Sequence, residues 1–207
     1  MLSKNKIPKE IIHVYVANEE EYDKYTRVLN ADLYGIITVG VIGLVPQRQY
    51  VMEPLPTGTH IVFIDDDMGS VDLSLSSKFK DESLDHFFTD AFTITAEHNA
   101  FIWGLYPVFN PYFRSPLEEV SKCLNYIFGG LYGIINRPDN TNMLFTLTGE
   151  NGQKEDVERS IRYFVEDGVV ISFNRIGFVT KHYGKLGGLG TFKQRLEPMK
   201  DASELLQ

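Results

Sequence analysis

The sequence predicts an α/β fold: a single domain over residues 1–207, with helices packed on a mostly parallel central sheet. Three observations predict it. Strand-like and helix-like segments alternate along the chain. The segment at 60–64 (HIVFI) has no polar residue after His60, the pattern of a strand covered on both faces, which belongs to parallel sheets. At 155–166, Val157, Ile161, Phe164 and Val165 share one helical face, as in a helix laid on a sheet. The chain is 43% hydrophobic, enough for one core without disulfide or metal staples.

Taken in order, residues 11–16 (IIHVYV) read as a strand rich in β-branched side chains. Residues 19–29 are polar, with Tyr22, Tyr25 and Leu29 at helical spacing. A second strand follows at 36–41 (IITVGV), then a helix at 44–52, whose Pro46 is tolerated only in a first turn. After the buried strand at 60–64, a helix is expected at 84–97 and a strand at 101–106. Strands at 132–136 (YGIIN) and 144–148 (LFTLT) precede a turn at Asn151-Gly152. The amphipathic helix at 155–166 ends at Gly168, placed for a C-terminal cap. Short strands at 169–173 and 178–180 and a glycine-rich loop at 182–190 complete the chain.

Composition narrows the class. The single cysteine, Cys123, excludes an intrachain disulfide and suits a reducing, cytoplasmic setting. The opening MLSKNKIPKE lacks a signal-peptide pattern, and no apolar run is long enough to span a membrane, so no membrane association is expected. The net charge of -8 argues against gripping DNA mainly by neutralising phosphates. Arg175, Lys181, His182, Lys185, Lys193 and Arg195 form a local basic set, either a patch or a solvated surface.

The strongest chemical signal is Asp65-Asp66-Asp67, directly after the apolar strand. Ligands of open α/β sheets bind beyond the carboxyl ends of the strands. In extended chain, residues i and i+2 point the same way, so Asp65 and Asp67 could face one Mg²⁺ or Mn²⁺. The alternative is a solvated acidic turn. An EF-hand is excluded, because Ser70 and Ser76 occupy the required glycine and glutamate positions. Glu155-Asp156 heads the last helix, where a carboxylate could act as general base or simply favour the macrodipole. His182 could complete a metal shell. The loop at 184–190 (GKLGGLG), with Gly187 and Gly188, could approach phosphates through its backbone N–H groups. The aromatic stretch at 101–114 should be mostly core, but its prolines and Asn110 force part of it into a loop able to stack on a sugar or base.

These pieces, in this order, resemble the GT-A class of glycosyltransferases, with a DxD motif and a later xED motif. More narrowly, the chain is similar to the TET-associated glycosyltransferase family of phages and large DNA viruses. The matching segments are GLVPQRQY at 43–50, IVFIDDD at 61–67, FIWGLYPVFNPYFR at 101–114, YGIINRP at 132–138, ENGQKEDVERSIRYF at 150–164 and GGLGTF at 187–192. The resemblance implies a GT-A-like (Rossmann-like) domain that moves a sugar from a UDP-sugar donor to a hydroxyl, with Mn²⁺ or Mg²⁺ as cofactor. It implies that Asp65, Asp66 and Arg48 lie at the nucleotide with Gly187 and Gly188, that Asp65, Asp67 and His182 hold the metal, and that Asp156 is the base of an inverting transfer with Glu155 beside it. Trp103, Tyr106, Asn110 and Arg114 are the expected acceptor contacts. The implied acceptor is a hydroxymethylpyrimidine such as hydroxymethylcytosine in DNA, in a bacteriophage-infected cell's cytoplasm.

The family pattern begins with a strand and a short PSYKR-like segment that helps hold the base. Here Met1-Leu2-Ser3-Lys4 aligns inside the following helix, so that first strand is expected to be absent. Two other readings stay open. A sugar nucleotidyltransferase would share the architecture and metal chemistry, and a shortened relative would bind nucleotide or nucleic acid without turnover.

Overall fold

The computed structural model describes residues 1–140 and 154–180. The expected strand at 144–148, the turn at Asn151-Gly152 and the glycine-rich loop at 182–190 lie outside the described residues. A 3₁₀ turn at Leu2–Asn5 opens the chain, and a second at Lys9–Ile11 takes the start of the expected first strand.

The first strand, β1 (His13–Val16), leads through α1 (Glu19–Val28) to β2 (Ile36–Val39), and the two strands pair in parallel. Asn18 caps α1 by accepting from the Glu21 N–H at 2.9 Å, and three acidic residues fill its first turn. Then come α2 (Leu44–Met52), with Pro46 in its first turn, and β3 (His60–Ile64), both with the predicted bounds. A tight turn joins β3 to β4 (Met68–Asp72), which sequence periodicity does not announce.

Next is α3 (Leu84–Glu97), also with the predicted bounds. Ser83 caps it by accepting from the His86 N–H at 3.1 Å. Its Leu84, Phe87, Ala91 and Thr95 bury a stripe at helical spacing. After it come β5 (Ile102–Leu105), the single turn α4 (Pro111–Arg114), β6 (Val120–Ser121) and β7 (Leu131–Ile135). The described chain closes with α5 (Glu155–Asp167), β8 (Ile171–Phe173) and β9 (Gly177–Thr180). Gly168 ends α5 in the left-handed region, φ 72°, as its position predicts.

The architecture is mixed α/β. Its five-stranded sheet has the order β3-β7-β5-β8-β6. The strands β3, β5 and β8 point one way, yet only β5–β8 pairs in parallel; β3–β7, β5–β7 and β6–β8 are antiparallel. The expected mostly parallel sheet is therefore a mixed one. The strand β3 sits at its edge, which corrects the expectation that it is covered on both faces: 61–64 are only half-buried. The strands buried on both faces are β5, β7 and β8.

One core lies between the sheet and α3, where Phe79, Phe87, Phe92, Trp103 and Phe173 meet edge to face. A second, of Ile102, Ile127, Tyr132, Ile134, Tyr163 and Val170, lies on the α5 side.

The helix α5 is turned opposite to its hydrophobic pattern. It buries Glu155, Glu158, Arg159, Ser160 and Tyr163, while Val165 is 78% exposed and Ile161 38%. Most of the buried polar groups are satisfied, with Arg159 Nε an exception, which makes this orientation tolerable. Ser160 Oγ accepts from the Ile127 N–H at 2.8 Å and donates to the Asp156 carbonyl at 2.7 Å. Arg162 Nε donates to Glu158 at 2.7 Å, and Arg137 donates to Asp167 at 2.6 Å. The Arg159 guanidinium stands 3.7 Å from the centre of the Tyr132 ring.

Candidate functional site

Because β3 and β5 point the same way and β7 opposite, the residues after β3 and β5 share one edge of the sheet with those before β7. Asp65, Asp66 and Asp67 form the turn after β3. The Asp65 carbonyl accepts from the Met68 N–H at 3.1 Å, and the Asp65 N–H donates to the Gly130 carbonyl at 2.9 Å. The turn is thus pinned to the start of β7. Asp66 is exposed, and its carboxylate accepts from the Tyr25 hydroxyl at 2.9 Å.

Arg48, on α2, ties this turn to α5. Its Nη2 donates to the Gly129 carbonyl at 2.7 Å and lies 3.3 Å from Asp65 Oδ1, while its Nη1 donates to Glu155 Oε1. Arg159 holds the other Glu155 oxygen. Tyr132 offers a ring face to both guanidinium groups, with Arg48 at 5.2 Å from its centre. The result is an Asp65–Arg48–Glu155–Arg159 chain, buried except at Asp65, that joins the DDD turn to the head of α5.

Arg48 is 5% exposed, with its guanidinium on Asp65, Glu155 and the Gly129 carbonyl. One expectation is corrected. Glu155 is 4% exposed with both oxygens on arginines, so it fastens the site instead of working beside Asp156. Asp156 itself is half-buried. Its Oδ2 accepts from the Tyr126 hydroxyl, and its Oδ1 from the Val157 N–H at 3.0 Å.

Gly129 shows why the chain has Gly129-Gly130 here. A Cβ on Gly129 would lie 2.8 Å from Glu155 Oε1 and 3.5 Å from Arg48 Nη1. Glu155 is pinned at both oxygens and cannot swing away. Gly129→Ala is therefore expected to cost about 1–3 kcal/mol, as overpacking does. Urea denaturation would read it, and an unchanged midpoint would show that the ion-pair chain yields freely.

The Asp65 carboxyl titrates above its ordinary range. Burial is the first cause; Asp67 and Glu155 add to it and Arg48 opposes it. The folded state therefore holds this proton to higher pH than the unfolded chain does. Between the two values the native state binds more protons, so this group makes stability fall as pH rises through that window. Asp65→Asn is expected to remove that part of the slope. Thermal midpoints of both proteins from about pH 3 to about pH 7 would show it as a difference growing in favour of the asparagine chain. Parallel curves would contradict it.

Asp65 and Asp67 suit a hard divalent ion. Their charges act on each other across the turn, and Mg²⁺-type ions take one or two carboxylates, filling the remaining positions with water and phosphate oxygens. Among the described residues no group of three or more His, Cys, Asp or Glu gathers to hold a metal. His182, Gly187 and Gly188 lie outside the described residues, as does the basic set apart from Arg175. Arg175 Nε donates to the Leu117 carbonyl at 2.8 Å, and its Nη1 lies 3.7 Å from Glu119.

The expected acceptor contacts separate. Trp103 is wholly buried in the core on α3, and a Cβ on the facing Gly133 would lie 2.2 Å from the indole. It belongs to packing. Arg114 is wholly buried too, donating to the Phe109 and Arg175 carbonyls and to Asp72 at 2.8–2.9 Å. It fastens α4. Asn110 is exposed, but its side chain caps α4 by accepting from the Tyr112 N–H at 3.0 Å. Tyr106, half-buried just past β5, remains beside the carboxyl edge. The exposed rings on this loop are Phe109, Tyr112 and Phe113.

Tyr25, Tyr126, Gly129 and Arg159 are the site residues that sequence reasoning did not single out. Only Arg159 had a local signal, its i,i+4 spacing from Glu155. Among the described residues no helix is long and apolar enough to cross a membrane. No family model matches the chain, and neither does any curated protein or any solved structure.

Proposed function

We propose that this protein is a metal-dependent glycosyltransferase, moving a sugar from a UDP-sugar to a hydroxyl acceptor. The observation that carries the reading is the convergence of two carboxylate groups from distant parts of the chain. The DDD turn and the head of α5 meet on one sheet edge through Arg48, which bonds both Asp65 and Glu155. A diphosphate leaving group and a proton-bearing nucleophile need those two chemistries side by side.

Asp65 and Asp67 would hold Mn²⁺ or Mg²⁺. When bound, the ion supplies positive charge to the diphosphate as it departs. Asp156 takes the proton from the acceptor hydroxyl as its oxygen bonds to the sugar C1. The C1–diphosphate bond breaks, UDP leaves, and the configuration inverts because attack comes from the face opposite the leaving group. Asp66, gripped by Tyr25, fixes the turn from outside. The acceptor class implied by the family resemblance is a hydroxymethylpyrimidine in DNA. The net charge of -8 then predicts modest, salt-sensitive affinity.

The test is Mn²⁺-dependent UDP release from a panel of UDP-sugars, with and without hydroxymethylcytosine DNA. Release that DNA stimulates and Asp67→Ala abolishes is the expected result. Release indifferent to DNA would keep the transferase and discard that acceptor. A folded protein without turnover on any donor would favour a relative that binds nucleotide only. As a readout apart from turnover, Mn²⁺ with UDP at a hundred times their dissociation constant should raise stability by roughly 2.7 kcal/mol. Asp67→Ala should lose that gain.

A further inference from the structure

Asp156 is held from outside its own helix by Tyr126. The phenol donates to Oδ2, and the Val157 N–H takes Oδ1, so each carboxylate oxygen has a fixed donor. Tyr126 is itself 40% exposed, but it sits on a rigid base. The next residue, Ile127, is wholly buried, and its N–H donates to Ser160 Oγ at 2.8 Å. A Cβ on Gly104 would lie 2.6 Å from the Ile127 side chain, so this loop is locked against β5. Two stitches thus join the loop to the first turns of α5: Tyr126 to Asp156, and Ile127 to Ser160. Burial and the charge of Asp156 both hold the phenol well above its usual range, which keeps it a donor.

We propose that Tyr126 is the positioning residue for Asp156, orienting its carboxylate for proton abstraction. The proposal rests on the transferase reading above. A carboxylate fixed at both oxygens is held in one orientation toward the proton it takes, so less rotational freedom is lost in reaching the reactive geometry. Glu155 and Arg159 are the other charged groups acting on the phenol, in opposite senses, and both are anchored independently of it. Removing the hydroxyl leaves them in place.

The experiment is Tyr126→Phe, Asp156→Asn and the double variant in the full chain, read as UDP release from UDP-glucose with hydroxymethylcytosine DNA. In Tyr126→Phe, kcat should fall about tenfold with donor KM unchanged. Added to Asp156→Asn, the same substitution should cost nothing further, because the group it orients is gone. An unchanged kcat in Tyr126→Phe, or a loss of about tenfold that persists in the Asp156→Asn background, overturns the proposal. Asp156→Asn as active as the parent sinks the base reading instead, and the catalytic role of Tyr126 with it. A hexose mass increment on Tyr126 after incubation with UDP-glucose would also overturn it, by making the phenol an acceptor.

Discussion

Replacing Glu155 with alanine is expected to cost about 3–5 kcal/mol of folding stability. The reason is what the substitution leaves behind. The Arg48 and Arg159 side chains are 6% and 2% exposed, and Glu155 gives one oxygen to each. Without it, Arg48 keeps the Gly129 carbonyl and a 3.3 Å approach to the half-exposed Asp65. Arg159 keeps the Ile127 carbonyl at 3.2 Å and the Tyr132 ring. Arg48 would then be left with one carboxylate that water already screens, and Arg159 with a carbonyl and a ring face. The loss should come from those unpaired charges, not from the missing methylenes. Glu155→Leu combined with Arg159→Met should therefore be less destabilised than Glu155→Ala alone, because it removes an orphaned charge and refills the space. Urea denaturation of the three proteins decides it. A change under about 1 kcal/mol in Glu155→Ala would mean that the arginines find water, and that the chain is not sealed as described.

The same network explains which parts of the fold were legible in the sequence. The bounds of α2, β3 and α3 follow from local signals: a proline in a first turn, an apolar run, a serine cap over a spaced stripe. The direction in which α5 faces does not. Periodicity ranks its faces by hydrophobicity, so Ile161 and Val165 were assigned inward. Arg48, lying 107 residues before Glu155, turns the opposite face in. No window along the helix contains that partner. Burial of β3 failed for a related reason, since its apolar run fits an edge strand as well as a central one, and pairing decides between them. In the site, the aspartate turn was visible because an apolar run ends abruptly in acid. Tyr25 and Tyr126 were not, because each is a lone aromatic whose carboxylate partner lies 41 or 30 residues away. Trp103 and Arg114 were drawn toward the acceptor by side-chain type alone, whereas complete burial assigns them to packing.

Asp156→Asn is expected to lower sugar transfer about 10²–10⁴-fold while leaving the fold intact. The substitution keeps the shape of the side chain and an oxygen that can accept from Tyr126 or the Val157 N–H, so the stitches to α5 can persist. What it removes is the capacity to take a proton. That capacity matters only when the nucleophile is a hydroxyl. A sugar phosphate attacking a nucleoside triphosphate is already ionised at neutral pH and needs no base, so a nucleotidyltransferase on this scaffold would keep most of its rate in Asp156→Asn. Asp67→Ala, by contrast, should cripple either reaction, because both release a phosphate-based leaving group that needs the cation. The pair of variants therefore separates the two chemistries. Loss in both, read as UDP release from a UDP-sugar, is the signature of transfer to a hydroxyl. Loss in Asp67→Ala alone, read as diphosphate release from UTP and a sugar 1-phosphate, would move the protein to nucleotide-sugar synthesis and leave Asp156 as a helix-terminal acid placed there by the macrodipole.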